Sequence, residues 1–170
     1  LYNWKEECSK FNPNMKVLVV DGLPQARKKL LKSFKDYNLI ITSYSLLQKD
    51  VEAYRKQNFA NMVLDEAQHI KNRLTLNAKS VKQIKAANRL ILTGTPIENC
   101  MEEIWSLFDF LMPGLLSTYD RFVDKYIRNA SENGGLKELQ KKTGPFIIRR
   151  LKADVLDDLP PLSELIYHCH

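Results

Sequence analysis

The amino-acid sequence predicts an α/β domain built on a doubly wound parallel sheet, and two observations carry that prediction. Four compact apolar runs, Lys16 to Asp21 (KVLVVD), Leu39 to Thr42 (LIIT), Met62 to Asp65 (MVLD) and Arg89 to Thr93 (RLILT), are rich in Val, Ile and Leu. Such near-continuous runs mark strands covered on both faces. The segments between them carry apolar residues at helical spacing, and alternating strand and helix is the pattern of parallel strands joined by crossover helices.

Taken in order, the stretch Gln25 to Phe34 places Leu30, Leu31 and Phe34 on one face with lysines elsewhere. Ser45 to Gln57 shows a weaker helical pattern, and Thr75 to Lys85 sets Leu76, Val81 and Ile84 at roughly helical intervals. After the fourth strand, Thr95-Pro-Ile-Glu98 combines a capping-box spacing with proline at the first helical position. The helix it opens buries Ile104, Trp105, Leu107, Phe108 and Leu111 and stops at Pro113-Gly114. Beyond Leu116 the pattern changes to helices, broken at Asn133-Gly-Gly135 and Thr143-Gly-Pro145 and followed by a basic segment and Pro160-Pro161. The expected organisation is a sheet domain over 1–115, a helical extension over 116–158 and a linker over 159–170.

Composition narrows the function classes. A 170-residue chain that is 44% hydrophobic can build one core. Cys8, Cys100 and Cys169 are too far apart and odd in number for a disulfide framework or a paired-cysteine metal knuckle, which fits a reducing compartment. The apolar runs are short and interrupted by charge, so neither a membrane span nor a signal peptide is expected. With 26 Lys+Arg against 20 Asp+Glu, a net charge of +6 leans toward a polyanionic partner such as nucleic acid.

The chemistry concentrates where the third strand ends, in Asp65-Glu66. Ligands of open α/β sheets bind outside the carboxyl ends of the strands. A carboxylate there suits magnesium, which keeps several waters and takes one or two protein carboxylates beside phosphate oxygens. Asp65 is therefore the candidate metal residue. Glu66, ionised near neutrality with an ordinary pKa of about 4.3, is the candidate to orient or deprotonate an attacking water. An ordinary solvated loop is the alternative for any Asp-Glu pair. What is missing is a phosphate cradle: Gly22, Gly94, Gly114, Gly134, Gly135 and Gly144 include no GxxxxGK[ST] loop.

The strand-ending tetrad Asp65-Glu-Ala-Gln68, followed one helix later by Leu92-Thr-Gly-Thr-Pro96, resembles motifs II and III of the Swi/Snf-type ATPases. These are superfamily-two, helicase-like motors that translocate on double-stranded DNA. The resemblance runs across the chain. Asn3-Trp-Lys-Glu6 is similar to the tail of motif Ia, Ile41-Thr-Ser-Tyr44 to motif Ib, and Asp65 to Asn72 (DEAQHIKN) and Leu92 to Asn99 (LTGTPIEN) to motifs II and III. Glu103 to Pro113, Pro145 to Lys152, Asp154-Val-Leu and Leu159-Pro-Pro resemble blocks that set this family apart.

The resemblance implies a RecA-like first motor lobe that uses ATP and Mg2+. Asp65 would hold the metal and Glu66 would activate water, while Gln68, Thr93 and Thr95 would couple nucleotide state to the partner lobe. A helix N-cap explains Thr95 equally well. Thr42, Ser43 and Tyr44 would face the DNA backbone, and Arg149 and Arg150 would track phosphates or brace the link to a second lobe; a strand-to-helix turn and a solvated basic face are the plainer readings. Trp4 is expected in the core, with a DNA contact as the alternative. His168-Cys-His170 is read as a chance placement, not a metal site.

In the family, the phosphate loop and its strand precede motif Ia, and the second lobe follows the Pro-Pro segment. The expectation is thus an incomplete lobe, inactive alone, whose parent acts on double-stranded DNA and on proteins bound to it. An RNA or DNA helicase of another branch and a non-catalytic scaffold are the alternatives. The glutamine-containing motif II leans toward a prokaryotic chain in the cytoplasm or nucleoid, with the nucleus for a eukaryotic one.

Overall fold

The computed structural model describes residues 1–94, 101–129 and 134–150. The chain forms two compact units, Leu1–Arg128 and Asn129–His170. In the first unit the elements run α1 (Tyr2–Phe11), β1 (Val17–Val19), α2 (Pro24–Leu30) continued by a 3-10 turn over Leu31–Asp36, β2 (Leu39–Ile41), α3 (Tyr44–Tyr54) and β3 (Asn58–Leu64). A 3-10 turn over Ala67–Ile70, α4 (Leu76–Lys82), β4 (Lys85–Ile91), α5 (Met101–Leu111), α6 (Tyr119–Phe122) and a π-helical turn over Val123–Arg128 follow.

Among the described residues all strand pairing is parallel, as the alternating pattern requires. β1 pairs with β2 from Val17 opposite Leu39 to Val19 opposite Ile41, and β3 pairs with β4 from Asn58 opposite Lys85 to Leu64 opposite Ile91. Among the described residues no ladder bond joins the two pairs. One apolar core nevertheless spans both, with Leu18, Val20, Phe34, Leu47, Leu64, Ile70, Val81, Leu107 and Phe110 among its members.

β3 and β4 begin earlier than their apolar runs, at Asn58 and Lys85, because Phe59 and Ala86 already pair across the ladder while exposed Asn and Ala side chains share those stretches. For the same reason α4 ends at Lys82, three residues short of the expected Lys85, which belongs to β4. A feature with no clear sequence signal is α1, which buries no residue.

Polar contacts fasten the helices to this frame. The buried Arg27 of α2 makes a two-pronged pair with Asp50 of α3, Nε to Oδ2 at 2.6 Å and Nη2 to Oδ1 at 3.2 Å, and gives Nη1 to the Gly22 carbonyl oxygen. Planar guanidinium matches carboxylate in this geometry. Arg89 of β4 donates to the carbonyl oxygens of Phe110 and Ile84, closing the end of α5 onto the strand. α5 itself buries Trp105, Leu107, Phe108 and Phe110, and Trp105 also donates to the Ser117 carbonyl oxygen. Past Pro113-Gly114, the left-handed Gly114 (φ +91°) turns the chain, and Phe122 and Tyr126 bury against each other.

In the second unit, α7 (Gly135–Thr143) buries Leu139 and Thr143, the latter donating to the Leu139 carbonyl oxygen, and a 3-10 turn over Gly144–Phe146 ends it. Arg149 and Arg150 lie exposed beyond that turn.

Candidate nucleotide site

The site is built on the carboxyl ends of β3 and β4. Register places Leu64 opposite Ile91, and the backbone cross-links continue past the strands: Leu92 N–H donates to Leu64 O at 2.8 Å and Ala67 N–H to Leu92 O at 2.9 Å. Asp65 and Glu66 are thereby delivered, exposed, at the rim where α/β sheets bind ligands.

Glu66 departs from ordinary backbone geometry. Its φ of 52° and ψ of 53° are left-handed, a region uncommon for residues with a Cβ, with a cost of order 1–3 kcal/mol held in place by the surrounding contacts. The turn it makes separates the strand from the 3-10 segment, whose Ile70 and Ala67 are fully buried. Ser106 of α5 donates to the Ile70 carbonyl oxygen at 2.7 Å in the interior, and Lys71 pairs with Glu103 of α5 at 3.0 Å. The helix after motif III thus braces the loop of motif II, a role that Ser106 and Lys71 do not advertise in the sequence.

A hydrogen-bonded line crosses the rim. Thr93 Oγ1 donates to Gln68 Oε1 at 3.1 Å, and Gln68 Nε2 donates to Glu66 Oε2 at 2.7 Å. An amide is suited to the middle position because it accepts at one end and donates at the other. Three of the expected residues, Glu66, Gln68 and Thr93, are therefore in direct series. Thr95 lies outside the described residues, as does His168-Cys-His170.

Asp65 is held on several atoms. Its Oδ1 accepts from the Glu66 backbone N–H at 3.0 Å and its Oδ2 from the Trp4 indole Nε1–H at 2.9 Å, while its carbonyl oxygen accepts from the Tyr44 hydroxyl at 2.9 Å. Trp4 is 43% exposed and corrects the expectation of a core tryptophan: α1 lies on the surface, so its indole serves as a donor and not as filling. The Tyr44 ring packs against His69 with centroids 5.1 Å apart. Burial, then the nearby Asp65 and Glu66 charges, push the Tyr44 phenol up to about 12, so it remains a donor throughout the physiological range.

The strand-to-helix turn before Tyr44 is firmly structured. Thr42 donates its hydroxyl to the Val20 carbonyl oxygen at 3.2 Å, and Ser43 caps α3 by accepting from Leu46 N–H at 3.4 Å. Ser43 Oγ also meets Ser45 Oγ at 3.2 Å. Both Thr42 and Ser43 thus serve the turn, and Tyr44 reaches the carboxylate rim. Arg149 and Arg150 belong to the second unit.

The donor set fits magnesium. Asp65 offers the kind of exposed carboxylate, one or two per site, that magnesium takes from a protein beside phosphate oxygens and water.

Comparison with known proteins gives the family of the chain. The model of the SNF2-related domain matches residues 1–170. The chain is 41% identical, over 98% of its length, to the TATA-binding protein-associated factor MOT1 of Saccharomyces cerevisiae, and 38% identical over 99% to the chromatin-remodeling ATPase INO80 of Lodderomyces elongisporus. The Sulfolobus solfataricus SWI2/SNF2 ATPase core in complex with dsDNA superposes with a TM-score of 0.82 at 40% identity, covering 94% of this chain. These matches take in 10% of the MOT1 protein, 12% of INO80 and 34% of the Sulfolobus chain, so the chain spans a small part of its relatives. They come from yeasts and from Sulfolobus alike, so the comparisons do not support the expected lean toward a prokaryotic chain. Among the described residues no helix is long and apolar enough to cross a membrane. The chain belongs to the SNF2-related domain family and is homologous to part of the SWI2/SNF2 ATPase core.

Proposed function

We propose that this chain is part of the first motor lobe of an ATPase that moves along double-stranded DNA and remodels or displaces proteins bound there. The observation that carries the reading is the open carboxylate rim: Asp65 and Glu66 exposed at the end of β3, with Gln68 joining Glu66 to Thr93. Relatives described as a chromatin-remodeling ATPase and as an ATPase core in complex with dsDNA support it.

In this reading Asp65 would hold the magnesium of Mg-ATP, and the bound metal would supply neutralisation of phosphate charge. Glu66 orients the attacking water and accepts its proton. Loss or gain of the γ-phosphate shifts Glu66, and the Gln68 amide passes that shift to Thr93, with Thr95 next along the same segment. The turn of Thr42, Ser43 and Tyr44 lies against the duplex backbone, where Ser43 can donate its hydroxyl proton to a phosphate. Arg149 and Arg150 add positive charge along the strand or toward the second lobe, with 116–158 as the helical extension and 159–170 as the linker.

Two features support an activity that needs more than these residues. No phosphate-cradling Gly-Lys-Ser/Thr loop occurs in the sequence, and one face of the β3–β4 pair leaves Val63 and Leu90 exposed side by side. The working enzyme is then a longer polypeptide found with the chromosome, in nucleoid or nucleus.

The test is ATP turnover by that polypeptide with duplex DNA, single strands and RNA as stimulants. Duplex should stimulate most, stimulation should fall steeply between about 50 and 200 mM salt, and Glu66→Gln should lower turnover about 10²- to 10⁴-fold. The isolated chain should show none above background. Preferential stimulation by RNA, or full turnover in Glu66→Gln, would overturn the reading.

A further inference from the structure

We infer that Trp4 is a positioning residue for the metal-binding carboxylate: its indole N–H fixes the orientation in which Asp65 meets Mg2+. This deepens the ATPase reading above and rests on it. A tryptophan normally justifies its place by burying a large ring. Trp4 does not, being 43% exposed on a helix that buries nothing. What it does make is a hydrogen bond from its sole donor to Asp65 Oδ2 at 2.9 Å, across 61 positions of sequence.

The rest of Asp65 is held in a complementary way. Oδ1 takes the Glu66 backbone N–H and the carbonyl oxygen takes the Tyr44 hydroxyl, so neither carboxylate torsion nor backbone plane is left to drift. Each carboxylate oxygen has more than one acceptor direction. A single N–H on each leaves room for a metal or a metal-bound water while removing the side-chain freedom that binding would otherwise have to freeze. Bonds of this kind, with an ionised acceptor, are the stronger class, and a site held in advance binds more tightly than one organised on arrival. Trp4 would never touch nucleotide; it acts through Asp65. Tyr44 supports the same residue through that residue's backbone carbonyl, directly after the Thr42-Ser43 turn.

The experiment is calorimetric titration of ADP into the intact polypeptide, with Mg2+ and separately with EDTA, for wild type, Trp4→Phe and Asp65→Asn. Melting temperatures of the three serve as a check on folding. Phenylalanine keeps a ring and deletes only the donor. Trp4→Phe is expected to weaken Mg-ADP binding by about five- to tenfold and to leave ADP affinity in EDTA at the wild-type value. A role in folding alone would lower both affinities together or neither, and either result overturns the inference. Equal Mg-ADP affinity in Trp4→Phe and wild type, with Asp65→Asn weakened, refutes the role of Trp4 and leaves the ATPase reading standing. Wild-type binding that is indifferent to Mg2+ and to Asp65→Asn removes both.

Discussion

The two strand pairs of this protein share a parallel register and differ in how they are covered. No residue of β1 or β2 is exposed, and Leu18 sits 4% exposed in the core. In the β3–β4 pair one face looks inward through Leu64 and Ile91, while the other shows Val63 and Leu90, opposite each other in register, at 51% and 54% exposure. Val, Leu or Ile side chains occur in both pairs. Coverage therefore depends on what packs over the sheet, and the pair that carries Asp65 and Thr93 is the one with an open face. In the longer enzyme proposed above, further chain would seat on that face.

The largest effect that sharpens this contrast is a matched truncation. Leu18→Ala should destabilise by about 2–5 kcal/mol, whereas Leu90→Ala should fall within about 0.5 kcal/mol of wild type, both read by urea denaturation. Repeating Leu90→Ala in the longer polypeptide should cost far more if that face is covered there, and an unchanged small effect would break the comparison.

Alkaline titration sets Tyr54, in the covered half, against Tyr44, at the rim. Burial chiefly raises both phenols from the ordinary 10 to about 12. Since the folded-state values are raised and the protonated phenol is neutral, their contribution to stability is fully present below about pH 10 and is lost as pH climbs through 12. Together the loss should be on the order of 2–3 kcal/mol, after discounting Tyr44 for screening on its open side. Tyr54→Phe should remove more of the fall, measured by denaturation at pH 9 to 12, than Tyr44→Phe does.

The smallest effect lies at Glu66. Glu66→Gly relieves the left-handed backbone and should stabilise the fold by about 1 kcal/mol, seen as a raised melting temperature. A lowered one would show that the Glu66–Gln68 hydrogen bond outweighs the strain.

Much of this architecture can be read from sequence, for reasons visible at particular residues. The runs ending at Asp65 and Thr93 are apolar enough to mark strands, so the exposed position of Asp65 and Glu66 follows from where the run stops. The amino-terminal parts of β3 and β4 escape the same test because Asn58, Asn61, Lys85 and Asn88 are polar and face outward. α1 escapes because amphipathic patterning needs a buried face and this helix has none. Trp4 misleads for that reason too: a large ring implies burial unless one knows where its N–H points. The Gln68–Thr93 bond spans 25 positions and depends on the β3–β4 register, which no local pattern fixes. Phe110, fully buried, lies on the same helix as the residues read as core and joins Leu107 in the core cluster.

The left-handed turn at Glu66 carries a consequence for anyone improving this protein. Variants ranked on heat resistance alone would favour glycine at that position, and the winners would lack the carboxylate proposed above to receive a proton from water. Screening should therefore hold residue 66 constant, and robustness should be sought beneath β1 and β2.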